Sequence, residues 1–191
     1  SILFMNRVHP PQRGATGRMM QNLSQALEAE GWNVTILSMG DKKMSYTGSG
    51  IHKIFIKQAK NPKSAWGCFI NLWRYYRAAM KLPKHDIVVS LTDPPMLMVV
   101  GGLVAKFKKS HHVHWAQDVY PDLLKVLGFK IPNFLYRFLH TRSVRAMNKS
   151  DKVVAIGRCM EKYLKHHGVS GDRIQVIPNW ADFEILAPSS K

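Results

Sequence analysis

Short apolar runs alternate along the chain with longer segments in which apolar residues recur every three or four positions. The short runs predict β-strands, whereas the longer periodic segments predict helices with one buried face. Gly31 and Gly168 follow the first and last of these helices, where glycine commonly forms a C-terminal cap. The polar stretch 41–50 is predicted to be a connection. We place strands at about 2–6, 33–38, 51–57, 86–91, 112–117, 152–156 and 174–177, and helices at about 16–30, 65–82, 95–108, 120–127, 132–149 and 158–167.

This alternation predicts a doubly wound, Rossmann-like α/β domain with a mostly parallel sheet of about seven strands. A chain of 191 residues with 46% apolar content can bury one such core. We expect residues 1–178 to form this domain. Residues 179–191 are expected to begin a linker toward a second domain, and we expect that second domain to be absent from the sequence.

The charge balance changes the picture, because 28 basic residues face 12 acidic ones and the formal net charge is +16. Such a surplus predicts an anionic partner: nucleic acid, a membrane surface or a phosphate-bearing substrate. We find no nucleic-acid recognition module, and therefore expect no nucleic-acid partner. Cys68 and Cys159 are far apart in sequence, which favours a reducing cytoplasm over a disulfide framework. The longest apolar stretch, 96–105, is shorter than the roughly 20 residues that cross a bilayer.

The loop after the first strand contains two glycines and a basic residue, Gly14, Gly17 and Arg18. Ligands collect at the carboxyl ends of parallel strands, where helices point unpaired N–H groups outward. We expect both glycines to be able to adopt positive φ and to let the backbone approach a phosphate. The loop lacks the third glycine of a dinucleotide fingerprint and the ending of a Walker A motif. For the loop taken alone, a plain turn into the helix is the favoured interpretation, with phosphate contact as the alternative.

Two further strand ends carry polar turns. Thr92-Asp93-Pro94-Pro95 follows a buried strand, with Pro95 expected in the first turn of the next helix. Thr92 and Asp93 either cap that helix or form a wall of a ligand site. Gly157 and Arg158 follow a later strand, where a substrate contact and a simple turn are both open.

The strand at 112–117 delivers Asp118 to its carboxyl end, just before Tyr120-Pro121. A carboxylate there can serve as a general base for an incoming hydroxyl, or it can cap the following helix. His114 is the second candidate for such catalysis. His112 and His114 share a strand face, but no acidic or thiol partner stands at ligand spacing, so we predict no metal site. No hydrolase nucleophile elbow is present in the sequence.

Two segments, 65–81 and 129–139, combine aromatic side chains with lysine and arginine. This composition suits helices that lie among anionic lipid headgroups. Packing of the same aromatic residues against the sheet is the alternative.

Taken in chain order, these motifs resemble family 4 retaining glycosyltransferases, most closely the branch that acts on lipid-linked acceptors. The resemblance is carried by the glycine-loop opening, by the Thr92–Pro95 turn, and by Asp118, Tyr120, Pro121 and Asp122 as a signature. The stretch 174–182 resembles the crossover into the second domain of that family. The resemblance covers nearly the whole chain.

The resemblance implies the amino-terminal, acceptor-side half of a GT-B enzyme. It implies that the backbone at Gly14 and Ala15, with Arg18 nearby, approaches the donor diphosphate. Ala15 stands where many members have a second glycine. Asp118 would then engage the acceptor, with His114 as runner-up, and the acceptor cleft would be lined by Thr92, Asp93, Pro94, Pro95, Tyr120, Gly157 and Arg158.

The implied reaction transfers a sugar from a nucleotide sugar, expected to be UDP-linked, to a polyprenyl-diphosphate saccharide or related glycolipid in cell-surface polysaccharide synthesis. The enzyme would sit on the inner face of the plasma membrane. No cofactor or metal is expected in this domain, because the carboxyl-terminal domain would bind the donor. The isolated domain is expected to be inactive. The alternative is a non-catalytic subunit that anchors a split glycosyltransferase to the membrane.

Overall fold

The computed structural model describes residues 1–10, 14–48, 50–62, 64–128 and 131–180. Strands and helices alternate through most of this range, as the sequence pattern predicts. The strands are β1 Ile2–Met5, β2 Val34–Gly40, β3 Met44–Gly48, β4 Ile51–Lys57, β5 Ile87–Ser90, β6 His111–Ala116, β7 Lys152–Ala155 and β8 Ile174–Val176. The helices are α1 Ala15–Ala29, α2 Ala65–Lys81, α3 Leu97–Lys108, α4 Asp122–Val126, α5 Asn133–Lys149 and α6 Arg158–His166, and a 3₁₀ turn lies at Gly171–Arg173.

Within the described residues the strands form one sheet, in the order β3-β4-β2-β1-β5-β6-β7-β8. All neighbouring pairs are parallel except β3 and β4, so the prediction of a doubly wound, mostly parallel sheet is confirmed. The strand order reverses at β1, which lies between β2 and β5. Ligands of open α/β sheets bind at such a switch point.

The strand β3 is an addition to the predicted set, because the stretch 41–50 was expected to be a connection. Met44–Gly48 pairs antiparallel with β4 at the edge of the sheet. Its side chains are largely exposed, and the ring of Tyr46 stacks on that of Phe55 with centroids 6.1 Å apart. The strand is short and even Met44 and Tyr46 are exposed, so it contributes no buried apolar face of the kind that hydrophobic periodicity detects.

Both faces of the sheet are covered, and the alternation of side chains along β1 shows how. Leu3 and Met5 pack with α2 and α3 on one face, whereas Ile2 and Phe4 pack with α1 on the other. A smaller cluster at the β7 side of the sheet includes Met147 of α5. These layers hold the carboxyl ends of the strands in fixed positions relative to one another.

The helix ends agree with the sequence in part. Gly31 and Gly168 have φ of 83° and 91° just after α1 and α6, which confirms the predicted glycine caps. The predicted helix starts at 95 and 120 are early, because α3 begins at Leu97 and α4 at Asp122. Pro95 therefore precedes the first turn of α3 instead of forming it.

Helix α3 packs close to the sheet at a glycine. A Cβ atom added to Gly101 would lie 2.6 Å from Nε2 of His112 and 2.8 Å from Cβ of Ser90. At the next position, Gly102, the nearest atom would be Nδ1 of His112 at 3.5 Å, an ordinary contact. Only the first of these two adjacent glycines is required by packing.

We expect Gly101→Ala to lower the free energy of unfolding by about 1–3 kcal/mol, because the added methyl overpacks the interface between α3 and the sheet. Gly102→Ala is the matched control. It should raise that free energy by up to about 1 kcal/mol, since alanine is the better helix former. Urea denaturation of both variants measures the difference, and equal stabilities would contradict the close approach.

Candidate functional site

The loops singled out in the sequence all leave the same edge of the sheet. In the parallel register, Met5 of β1 pairs with Ser90 of β5, Ser90 pairs with His114 of β6, and Ala116 pairs with Ala155 of β7. The segments that follow these four strands therefore emerge side by side. We call this the strand-end edge, and it carries the loops that contain Gly14, Thr92, Asp118 and Gly157.

Helix α1 starts at this edge, and the backbone N–H groups of its first turn have no partner among the residues that the structure describes. Gly14 is its N-cap, no side chain caps the first turn, and that turn holds no acidic residue. The positive end of the helix dipole and free N–H groups favour an anion there. Ala15 and Arg18 are exposed on this first turn. The geometry suits a phosphate.

Gly14 and Gly17 do not use the positive φ that glycine allows. Gly14 is extended with φ of 167°, and Gly17 lies inside α1. Both are glycine for a packing reason: an added Cβ would lie 2.9 Å from Cγ1 of Val8 at Gly14 and 2.9 Å from the Val8 carbonyl oxygen at Gly17. These contacts hold the start of α1 against the end of β1.

Asp93 does not cap α3. Its carboxylate pairs with Arg7, whose Nε donates to Oδ1 at 2.8 Å and whose second guanidinium nitrogen lies 2.7 Å from Oδ2. The backbone N–H of Arg7 also donates to the Asp93 carbonyl at 2.7 Å. The hydrogen bond to Asp93 raises the pKa of Arg7 despite partial burial. Arg7 is a site residue that the sequence analysis missed, although it lies just beyond buried strand β1.

Thr92 is buried and joins the end of β5 to the end of β6. Its Oγ1 accepts hydrogen bonds from the backbone N–H of Gln117 at 2.8 Å and of Asp118 at 3.3 Å. Thr92 is therefore not a helix cap either. Its hydroxyl fixes the backbone that carries Asp118. Beside it, Pro94 is buried and Pro95 is half-buried in the turn before α3.

Asp118 is exposed at the strand-end edge and does not cap α4. That helix begins four residues later and has no side-chain cap. Crowding by protein atoms, and then the negative charge of Asp93, raise the pKa of the Asp118 carboxyl. The pKa of Tyr120 is also raised, first by partial burial and then by the negative charges of Asp118 and Asp93. A carboxylate with a raised pKa is a stronger base, as proton abstraction requires.

His114 lies beneath the edge and is fully buried. Its Nδ1 donates to the Ser90 carbonyl at 2.9 Å, which leaves Nε2 as an acceptor without a partner among the described residues. Burial lowers the pKa of His114 to about 4, so the ring is neutral near pH 7. The pocket that it lines with Asp118 and Tyr120 has no room for a water molecule. In this conformation His114 does not reach a ligand on the surface.

The neighbouring His112 is also a structural residue. Its two ring nitrogens lie 2.9 Å from the hydroxyls of Ser90 and Ser150, so the ring bridges β5 and the end of α5. Burial lowers its pKa to about 3.

The end of β7 completes the edge. Gly157 is extended, with no described atom within 4 Å of an added Cβ, and Arg158 opens α6 with an exposed side chain. The side-chain amides of Gln117 and Asn179 exchange two hydrogen bonds of 3.1 and 2.9 Å. The sequence analysis missed this pair. Residues 181–191 of the predicted linker lie outside the described residues.

The family model described as Glycosyltransferase Family 4 matches residues 16–185 of the chain. No curated protein sequence matches significantly.

Solved structures share the fold at low identity. HepE from Anabaena, in complex with UDP and glucose, is 15% identical with a TM-score of 0.62, covering 98% of this chain and 47% of that one. Sucrose-phosphate synthase from Thermosynechococcus elongatus is 13% identical with a TM-score of 0.70, covering 96% and 49%. WaaG, a glycosyltransferase involved in lipopolysaccharide biosynthesis, is 18% identical with a TM-score of 0.61, covering 93% and 45%. The chain spans about half the length of these structures.

We expect Thr92→Val to lower the free energy of unfolding by about 1–3 kcal/mol, because it leaves the N–H groups of Gln117 and Asp118 without their acceptor. Hydrogen exchange of the Gln117 amide should accelerate as well. Thr92→Ser keeps the hydroxyl and is the matched control. Equal exchange rates in the valine and serine variants would show that the hydroxyl does not hold this backbone.

Proposed function

Because the chain belongs to glycosyltransferase family 4, we propose that it forms the acceptor-side half of a membrane-associated, retaining glycosyltransferase. One observation carries the proposal: the uncapped start of α1 and the carboxylate of Asp118 share one edge of the sheet. The first offers a phosphate site and the second offers a base. A second, donor-binding lobe that follows residues 179–191 would close over this edge.

The start of α1 would receive the diphosphate of the donor. Its N–H groups and dipole supply partial positive charge, and the backbone at Gly14 and Ala15 is free of a competing side-chain cap. Arg18 adds a full positive charge one turn into the helix. The donor is proposed to be a UDP-sugar held chiefly by the second lobe. The HepE structure, which contains UDP and glucose, supports a nucleotide sugar.

Asp118 would orient the acceptor hydroxyl and accept its proton. Its raised pKa suits this role, and Thr92 fixes its backbone. Arg7 and Asp93 join the segments after β1 and β5, which would help to hold the proposed phosphate site and the base near each other. The turn 92–95, Tyr120, Gly157 and Arg158 would line the acceptor cleft.

The acceptor is proposed to be a polyprenyl-diphosphate saccharide or a related glycolipid used in cell-surface polysaccharide synthesis. The role of WaaG in lipopolysaccharide biosynthesis supports this substrate class. The net charge of +16 suits a phosphate-bearing acceptor and an anionic bilayer.

Helix α2 supports binding to a membrane surface. It buries Gly67, Asn71, Tyr75 and Ala79 against the protein. The opposite face exposes Trp66, Phe69 and Trp73, at 70%, 58% and 49%. These three aromatic side chains therefore do not pack against the sheet, which weakens the core-packing alternative for them. Aromatic residues exposed on a basic helix suit the headgroup region of a bilayer.

A second exposed aromatic group lies on α5, which packs, as α2 does, against α3. Phe134 and Phe138 are exposed, and Arg142 lies over the ring of Phe138 at 5.0 Å. Helix α3 lies between α2 and α5, and its Phe107 is also exposed. Phe129 and Lys130 of the predicted segment lie outside the described residues. Among the described residues, none of the helices combines the length and apolar character that crossing a bilayer requires.

We propose that this face rests on the inner leaflet of the plasma membrane, on the cytoplasmic side. Cys68 and Cys159 are free thiols, which is compatible with a reducing compartment.

We expect the chain joined to its donor lobe to transfer sugar from a UDP-sugar to an acceptor in a lipid extract. Asp118→Asn should lower the turnover of that enzyme by about 100-fold or more. The reason is that a positioned base contributes about 100-fold or more, and asparagine cannot accept the proton. A panel of radiolabelled sugar nucleotides measures both. Asp172→Asn, on an exposed acidic residue of the 3₁₀ turn, is the control and should retain activity.

The 191-residue chain alone is expected to fold and to show no transfer. Turnover by this chain alone would contradict the need for a second lobe. Near-normal turnover of Asp118→Asn would remove Asp118 from the reaction. Transfer that depends on a separately encoded catalytic partner, with Asp118→Asn unaffected, would favour the membrane-anchoring subunit instead.

We expect the chain to co-sediment with vesicles that contain anionic lipid, and the triple variant Trp66→Ser, Phe69→Ser, Trp73→Ser to bind at least about 100-fold more weakly. Inserting each aromatic side chain contributes on the order of 1.5–3 kcal/mol. Salt should weaken binding of the parent chain, because the attraction to the headgroups is screened.

The control for vesicle binding is Trp32→Ser, which changes an equally large exposed side chain between α1 and β2. This variant should bind as the parent does. Equal loss in the control and the triple variant, or binding that is indifferent to lipid charge, would contradict the proposed membrane face.

A further inference from the structure

Three potential metal ligands meet where α4, α5 and α6 approach one another beside the strand-end edge. They are Asp122 at the start of α4, His140 in α5 and His167 just after α6. One ligand atom from each lies within 4.8 Å of the other two, and all three side chains are half-buried. The sequence separates them by 18 residues or more, so no spacing motif reveals the group.

Asp122 presents a half-buried carboxylate to this group. The hydroxyl of Tyr136 donates to Oδ1 at 2.5 Å, which orients the carboxylate. Oδ2 is buried and no described donor meets full hydrogen-bond geometry with it, although the hydroxyl of Tyr163 also interacts with the Asp122 carboxylate. A cation bound beside this partly desolvated carboxylate would compensate its negative charge.

His167 is oriented in the way that metal sites orient their ligands. Its Nδ1 lies 2.8 Å from the carbonyl oxygen of Tyr163, so Nδ1 carries the proton and donates it. The lone pair is then on Nε2. Donation of the other ring N–H to a carbonyl is the usual outer-shell contact of a metal-binding histidine. The ring of His140 packs edge-on against His167, with centroids 5.4 Å apart.

We propose that Asp122, His140 and His167 bind a divalent cation of the zinc type, with water completing a tetrahedral site. Two imidazoles and one carboxylate suit Zn²⁺, whereas Ca²⁺ and Mg²⁺ prefer all-oxygen sites. Tetrahedral ligands at zinc distances are roughly 3.3 Å apart, so the side chains need to close by about 1.5 Å at most.

A metal bound here would link α4 to α5 and α6. Asp122 lies four residues after Asp118, so the metal would also restrain the segment that carries the proposed base. An open groove of about 320 Å³ adjoins it, lined by Val119, Asp122, Leu123, Val126, Cys159, Met160 and Tyr163. Because three protein ligands leave one coordination position to water, restraint of these helices is the only role assigned to the metal.

The test uses the 191-residue chain after treatment with a chelator. Titration with Zn²⁺ in a calorimeter should show saturable binding, and Co²⁺ should give the visible absorption of a tetrahedral site. Asp122→Asn and His140→Ala should each weaken Zn²⁺ binding by about 10-fold or more. Replacing residues that only hydrogen-bond to metal ligands already costs about 10- to 100-fold in affinity. Zn²⁺ should also raise the melting temperature of the parent chain.

Two variants serve as matched controls. His111→Ala removes an exposed histidine at the start of β6, at the far end of that strand from Asp118, and should leave binding unchanged. Cys159→Ser should also bind normally, although Cys159 lines the adjoining groove. A thiolate-to-cobalt absorption band that Cys159→Ser abolishes would overturn the proposed ligand set. Equal affinities of the parent, Asp122→Asn and His140→Ala would overturn the site altogether.

A readout on the parent chain covers the case in which a variant fails to fold. Zn²⁺ should protect His140 and His167, but not His111, from acylation of their imidazoles, as peptide mass analysis would show. Equal modification of all three in the presence of Zn²⁺ would contradict the proposal.

Discussion

Parallel pairing of β1, β5, β6 and β7 is the constraint on which the rest of this molecule depends. Because all four strands run in the same direction, four loops that are distant in sequence leave the sheet together. Pairing alone leaves those loops free to move. The Arg7–Asp93 ion pair and the Thr92 hydroxyl remove that freedom by joining the ends of adjacent strands. Hydrogen bonds between the segments that follow neighbouring strands thus help to position Asp118 relative to the start of α1.

Hydrophobic periodicity revealed the layers of the fold because the sheet is buried on both sides. Ile2 and Phe4 face α1 while Leu3 and Met5 face α2 and α3, so β1 is apolar throughout. The same signal missed β3, a short edge strand whose side chains are largely exposed. Gly31 and Gly168 could be assigned as caps, since the reason for glycine there is local.

Other residues are determined by contacts with parts of the chain that are distant in sequence. Their roles were predicted incorrectly from the sequence or were not predicted. Gly14 and Gly17 suggested unusual backbone angles, but they are small because Val8 approaches them. Asp93 suggested a helix cap, but its partner is Arg7, which lies 86 residues away. The position of Asp118 after a strand could be predicted from the sequence, and its role in the reaction stays a prediction. The grouping of Asp122, His140 and His167 depends on how α4, α5 and α6 pack, which no spacing in the sequence expresses.

The reciprocal amide bonds between Gln117 and Asn179 place the last described segment directly beside Asp118. The stacked rings of Trp115 and Trp180, 5.9 Å apart, reinforce that attachment. Under the proposed function, these contacts would fix the point at which the chain leaves the domain. A second lobe would then start from a position beside the acceptor cleft, next to the segment that carries Asp118.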